Sequence, residues 1–261
     1  MLGGSGSGMF GHMNHFAFGW GTPVLAYAMA CIGSALGLRC TVRAGEPTAT
    51  ARSRRNWLIT ASTAFGSGIW TMHFVAMLGF GVTGITVRYN VALTLASLLL
   101  AVVVVGIGVF VVGRPRDGRT RMRTLLVAGA FTGVGITVMH YTGMAAVRLP
   151  GRVTYDPLLV ASSVVIAVLA ATAALWAAFR VRNPLAGFAA SLVMGFAVTA
   201  MHYMGMAAVR IHLAPAASPV PGADATDFVF PLAVVLGSYL FLTSAFVALS
   251  PAPHRVRAAA Q

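Results

Sequence analysis

The sequence predicts an all-α polytopic membrane protein: seven transmembrane helices, built as three helical-hairpin repeats plus one further helix, with the N-terminus out and the C-terminus in. Three observations predict it. Hydrophobic residues make up 58% of the 261 residues and charged residues only 9%, whereas a soluble domain carries about 25% charged residues. Such a chain cannot cover a water-facing surface. Seven apolar runs follow one another, each near the roughly 20 residues that a bilayer core requires. A Met-His-x-x-x-Met pattern is written three times, beginning at Met72, Met139 and Met201, so the chain repeats itself at the scale of a helix pair.

The first run covers 20–38. The segment before it, 1–19, lacks the positive region of a signal peptide, so the run reads as an uncleaved helix behind an extracytoplasmic N-terminal segment. The next runs are 57–80, 91–113, 124–147, 157–179, 185–209 and 229–250. Gly and Pro inside them do not argue against helices in lipid. Tyr89-Asn90 and Tyr155-Asp156 open the third and fifth runs, and Thr226-Asp227-Phe228 is expected to do the same for the seventh. The seven-helix domain therefore spans 20–250, and 251–261 reads as a basic cytoplasmic tail.

Orientation follows from arginine, since the chain has no lysine. Fourteen of the eighteen arginines fall after the first, third, fifth and seventh runs; only Arg88, Arg148, Arg152 and Arg210 fall on the other side. The positive-inside rule puts the crowded side in the cytoplasm. This accounts for the net charge of +13 without nucleic acid, because the arginines sit in short gaps rather than on one face or in a tail. The expected location is the bacterial inner (plasma) membrane, multi-pass.

His73, His140 and His202 lie 67 and 62 residues apart, a helix, a loop, a helix and a loop each time. Each stands 17 to 20 residues beyond the last cytoplasmic arginine, roughly 25–30 Å at 1.5 Å per residue. The three thus share one layer near the outer edge of the hydrocarbon. A glycine precedes each by seven residues, Gly66, Gly133 and Gly195, where it shares the histidine's face and lets another helix approach closely. Met77, Met144 and Met206 lie four residues after each histidine, on its face. Met72, Met139 and Met201 are turned about 100° away and suit packing.

Ionisable side chains inside a membrane are costly and mark function. Neutral imidazole is the commonest metal ligand, and thioether sulfur selects copper, above all Cu(I). Three imidazoles with thioethers and no carboxylate therefore point to copper. The ligand set is His73, Met77, His140, Met144, His202 and Met206, with His15 of the N-terminal segment as a further ligand and His12 or His212 as weaker ones. Affinity should fall as the histidines protonate, below about pH 6–6.5 for ordinary imidazoles. Haem ligation or electron transfer through paired histidines, copper uptake or export, and polar packing between helices are the alternatives.

Other chemistries lack their residues. All five acids, Glu46, Asp117, Asp156, Asp224 and Asp227, fall in loops or at run ends, which disfavours a proton or sodium pathway. Without lysine there is no retinal Schiff base. No HExxH helix or Walker loop occurs, and Ser62, Thr63, Thr137 and Thr199 lack a base partner and read as helix glue. Cys31 and Cys40 imply no disulfide framework. No enzymatic activity is expected.

At these motifs the sequence resembles the MHYT family of bacterial membrane sensors. The name-giving tetrapeptide stands as Met139-His140-Tyr141-Thr142, with variants Met72-His73-Phe74-Val75 and Met201-His202-Tyr203-Met204. The resemblance covers about 15 to 250, and "HFAFGWGTPVLAYAMACIGSALGLRC" is similar to the start of short actinobacterial members. It implies seven transmembrane helices and copper bound by the motif His and Met residues. It also implies sensing of oxygen, carbon monoxide or nitric oxide. Phe74 in place of Tyr removes a hydroxyl, not a ligand. Many relatives continue into cyclic-di-GMP or kinase modules. Here the chain stops after "SPAPHRVRAAAQ", so signalling is expected to run through a separate cytoplasmic partner.

Overall fold

The computed structural model describes residues 13–14, 19–82, 85–114, 118–213 and 220–249. Seven long helices dominate: α1 (Gly21–Ala44), α2 (Ala51–Leu78), α3 (Val91–Val112), α4 (Gly118–Ala146), α5 (Pro157–Arg180), α6 (Pro184–Ala207) and α7 (Phe230–Leu249). All seven lie where the apolar runs predict. The difference is at the arginine-rich ends. α1 continues six residues past 38, and α2 and α4 each start six residues before the apolar stretch begins. Backbone hydrogen bonding does not stop where lipid stops, and arginine is a good helix former.

Six of the helices are long and apolar enough to cross a membrane; α2 falls short. Its place explains why. It packs against α1, α3 and α7, and its second half is buried on nearly every face. A helix surrounded by protein needs no lipid-compatible surface, so its sequence holds Ser, Thr, Gly and Trp instead. The outer helices carry large exposed apolar side chains, among them Leu99, Val127, Leu169, Phe196 and Phe241, an extent that a water-soluble monomer does not show.

α1 to α6 form a ring in which each helix packs on the next and α6 closes on α1; α7 lies outside against α1 and α2. Small residues set the spacing. Gly33 of α1 and Gly68 of α2 face each other so closely that a Cβ on Gly33 would lie 2.7 Å from the Gly68 Cα. Gly66 and Gly133 back onto the main chain of Val102 and Val168, and Gly195 onto Cys31. The close approach these glycines permit is therefore to α3, α5 and α1, not to the next histidine helix. Polar side chains satisfy themselves locally or across helices. Ser62 and Thr137 donate to carbonyls four residues back, Thr63 bonds the Tyr239 hydroxyl at 2.8 Å, and Trp70 Nε1 donates to Ser97 Oγ at 2.9 Å. Thr199 Oγ1 is buried without a partner among the described residues.

A cap of short strands covers the histidine end, a feature the apolar pattern did not announce. β1 (Met13–Asn14) pairs with β2 (Gly81–Val82), β3 (Arg88–Tyr89) with β4 (Val147–Arg148), and β5 (Gly151–Tyr155) with β6 (Val209–Leu213), all antiparallel. The rule is the same three times: the strand before an odd helix pairs with the strand after the following even helix. The repeat is thus strand–helix–helix–strand. β7 (Ala223–Asp224) joins β3 and leads through a π turn, Ala225–Val229, into α7.

Asn90 and Asp156 cap α3 and α5, their side chains accepting from Leu93 N–H and from Leu158 and Leu159 N–H. Thr226-Asp227-Phe228 does not cap in this way: it lies inside the π turn. The sparse arginines ride on the cap strands, where Arg88 pairs with Asp224 at 3.5 Å and Arg210 with Asp156 at 4.0 Å.

Because Gly33 and Gly68 meet Cα to Cα, Gly68→Leu should force α1 and α2 apart. An overpacked contact of this kind costs about 1–3 kcal/mol, and a lowered melting temperature in detergent, relative to Gly187→Ala where nothing lies within 4 Å, would show it.

Candidate metal centre

His73, His140 and His202 come from α2, α4 and α6, the even helices of the ring, near their cap-side ends. Each is only 1% exposed. Their rings meet edge to face with centroids 4.9, 4.9 and 5.2 Å apart and planes near perpendicular. The same nitrogen of each ring turns inward: Nδ1 of His73 lies 2.9 Å from Nδ1 of His202 and 3.2 Å from Nδ1 of His140. Among the described residues this is the sole cluster of three His, Cys, Asp or Glu side chains close enough to hold one metal ion.

The outward nitrogens are accommodated by missing side chains. A Cβ on Gly143 would strike Nε2 of His73, and one on Gly205 would strike Nε2 of His140. Each glycine stands three residues after the histidine of its own helix and makes room for the histidine of the preceding repeat. Sequence reasoning missed this role, although "HYTG" and "HYMG" contain it; the first repeat has Ala76 there. The residue after each histidine also recurs as an aromatic lying edge-on to it, Phe74, Tyr141 and Tyr203, at 4.7, 4.9 and 5.0 Å. Tyr141 Oη is 3.2 Å from Ser163 Oγ, a tie that Phe74 lacks the hydroxyl to make.

The electrostatics are unusual for a resting protein. A neutral imidazole has one N–H and one lone pair. Nε2 of His73 and of His140 have no hydrogen-bond partner among the described residues. If the N–H sits outward, each ring buries an orphaned donor, at about 1–3 kcal/mol apiece. An N–H turned inward on one ring can bond a neighbouring Nδ1 at 2.9 or 3.2 Å, but inward hydrogens on all three rings would meet one another. A cation at the centre removes the inner conflict, because three lone pairs then converge on it. Three nitrogens bound at about 2.0–2.1 Å to one ion stand about 3.3–3.6 Å apart, wider than the 2.9 and 3.2 Å that separate His73 Nδ1 from those of His202 and His140. The residues present fit a small ion after that opening. Among the described residues no carboxylate joins the cluster, so the donor set there is neutral and nitrogenous.

The other predicted ligands fall in several places. Met77, Met144 and Met206 are buried one turn further along the same helices, at the rim of the cap. Met72, Met139 and Met201 are buried too: Met72 packs among Ala26, Ala30 and Val75, and Met201 lines a cavity on the ring axis. His212 is exposed on β6 opposite Arg152, away from the triad. His15 and His12 lie outside the described residues.

The cap above the triad turns Tyr89, Val147, Val209 and Ile211 inward, all buried. Tyr89 is buried with its hydroxyl 3.4 Å from the Met77 carbonyl, and burial pushes its phenol pKa up, as it does for Tyr155. Below it the axis holds a cavity of about 50 Å³, walled by Phe65, Ile69, Ile136, Val198 and Met201 among others.

The family model described as a bacterial signalling protein N-terminal repeat, MHYT, matches residues 66–125 and 133–191. The chain is 44% identical over 176 residues to the bifunctional diguanylate cyclase/cyclic di-GMP phosphodiesterase MucR of Pseudomonas aeruginosa, covering 65% of this chain and 25% of that protein. It is 38% identical over 202 residues to the cyclic di-GMP phosphodiesterase NbdA of the same organism, 75% of this chain and 25% of that one. The signaling protein YkoW of Bacillus subtilis is 29% identical over 195 residues, 72% and 24%. The chain spans about a quarter of the length of these relatives. No solved structure matches it.

Gly143→Ala and Gly205→Ala should each push an imidazole off the axis. Alanine favours a helix over glycine by about 1 kcal/mol, so the helices themselves persist. In ¹⁵N-histidine spectra the ring signals should shift or broaden in both variants and stay in place in Gly187→Ala.

Proposed function

Because the chain belongs to the MHYT family of bacterial signalling proteins, we propose that it is a sensory membrane module that binds copper through His73, His140 and His202. Met77, Met144 and Met206 serve as thioether ligands, with His15 as a further one. The observation that carries this reading is the meeting of three Nδ1 atoms in a buried layer without a carboxylate. A neutral set of imidazoles with soft sulfur nearby favours Cu(I) over zinc, magnesium or calcium. When bound, the metal supplies a redox-active centre with an affinity for oxygen, carbon monoxide or nitric oxide.

The protein's part is to orient and to exclude. The glycines behind His73 and His140 and the aromatic edge beside each ring hold the imidazoles in register. The cap keeps bulk water off them, and the small cavity below is apolar and so stays dry, which suits an uncharged diatomic molecule. α2, α4 and α6 each run from the triad to the arginine-rich end, so a change in ring spacing moves those ends relative to one another. In this reading all seven helices cross the membrane, the N-terminus lies outside, and the arginine-rich face meets the cytoplasm, where a signalling partner receives the signal. The names of the relatives make cyclic di-GMP turnover the first output to examine. The module itself is not an enzyme.

Two observations weigh against the alternatives. Ring centroids 4.9–5.2 Å apart leave no space for a porphyrin between histidines. A copper conduit needs successive sites, and no second cluster of this kind occurs among the described residues.

Purified protein loaded with copper and freed of excess should retain about one copper per chain, and the His73→Ala/His140→Ala/His202→Ala variant none. Less than about one copper in wild type, or equal content in both, overturns the reading. Carbon monoxide added to the reduced, loaded protein should give a C–O stretching band that the triple variant lacks. A fluorescent reporter fused after Leu249 should light up in the cytoplasm; a dark fusion that is nevertheless present in the membrane reverses the orientation.

A further inference from the structure

At the end of the ring opposite the histidines, a cleft of about 490 Å³ opens where the α1–α2 turn, the end of α3, the start of α4 and the α5–α6 turn come together. Four guanidinium groups line it, from four different elements: Arg54 on α2, Arg114 after α3, Arg121 on α4 and Arg182 between α5 and α6. The carboxylate on its wall among the described residues is Glu46, which is held by Arg43 at 3.7 Å. Leu58, Val112 and Phe179 give it an apolar floor.

Two of the four arginines are set in position by the fold. Arg54 donates to the carbonyl of Gly113, and Arg182 Nη1 to the carbonyl of Val42 at 3.3 Å, which also accepts from Gly45 N–H at 3.1 Å. A guanidinium has five N–H donors, so each anchored side chain keeps most of its fork for another acceptor. The Arg182 guanidinium lies directly against Gly45, where a Cβ would stand 2.6 Å from Nη1. An excess of arginine on this face accords with the positive-inside rule, but that rule does not require convergence. Arg55 and Arg123 carry the same charge at the same end and stand outside the cleft.

We propose that this cleft binds a phosphate group. Rigid forks arriving from several directions match the geometry of phosphate oxygens in a way that ammonium groups do not, and the apolar floor suits a ligand with a carbon-rich remainder. The phosphate is carried by the headgroup of an acidic phospholipid or by a soluble phosphorylated compound. The site is independent of the histidine layer and of what that layer holds.

The test uses the full chain in phosphatidylcholine nanodiscs. Inorganic pyrophosphate is titrated against wild type, the cleft variant Arg121→Gln/Arg182→Gln, and the charge-matched variant Arg55→Gln/Arg123→Gln. In parallel, native mass spectrometry counts phosphatidylglycerol retained by each protein from mixed vesicles. A loss of pyrophosphate affinity of tenfold or more in the cleft variant alone supports the site and a soluble ligand. Loss of retained phosphatidylglycerol in the cleft variant alone supports it with a lipid headgroup. Equal losses in both variants reduce the effect to bulk charge and overturn the proposal, as does binding of neither probe by wild type. Arg121→Gln alone repeats the comparison should the Arg182 change loosen α1, and melting temperatures report whether it has.

Discussion

Everything in this fold is arranged around the cost of gathering three polar rings where there is no water. Two of the three outward nitrogens have no partner among the described residues, and the inward ones have only one another, at 2.9 and 3.2 Å from His73. A buried polar group that is not hydrogen-bonded is expensive, and inside a lipid-surrounded bundle there is little solvent to relieve it. Each neighbouring feature answers that constraint: an aromatic edge beside every ring, glycine where a side chain would displace one, and a cap that closes the layer. Removing the rings would leave the cap with nothing to cover and the two glycines with no reason to be small.

Repetition is the means by which the rings come to one point. A single hairpin can place one histidine at a given depth but cannot surround it. Three hairpins of the same design, closed into a ring, put the same residue of each at the same height and turn the same nitrogen to the axis. The interdependence crosses repeats, since Gly143 serves His73 and Gly205 serves His140. The symmetry is approximate: Ala76 stands where the other repeats have glycine, Phe74 where they have tyrosine, and α7 belongs to no repeat. Departures of this kind let one chain give three related positions different duties.

The legible part of the architecture is the part that acts locally. Apolar runs mark helices because each residue meets lipid or core by itself, and the repeated Met-His-x-x-x-Met stands out because one register recurs. Asn90 and Asp156 could be read as helix openers because an N-cap acts within three residues. What escaped is non-local. Strands two to five residues long have no periodicity to detect and exist because a partner lies across the ring. The extra turns of α1, α2 and α4 carry arginine, so an apolar window ends before the helix does. Gly66, Gly133 and Gly195 were readable as points of close approach, but their partners, Val102, Val168 and Cys31, emerge only from the packing. The same holds for the room that Gly143 leaves, because the ring it accommodates belongs to another helix 70 residues earlier.

The strand pairing makes the two rims of the molecule mechanically unlike. At one rim every hairpin is tied shut by main-chain bonds, as staves are by a hoop. At the other, the chain itself joins the two helices of each hairpin, and side-chain contacts such as those of Arg54 and Arg182 reach from one hairpin to the next. A disturbance at the hooped rim therefore moves each hairpin as a unit, and what changes at the far rim is the gap between one hairpin and the next. The bundle behaves as a set of levers with a common fulcrum near the imidazoles, and a displacement of tenths of an ångström beside the fulcrum grows along the length of each helix.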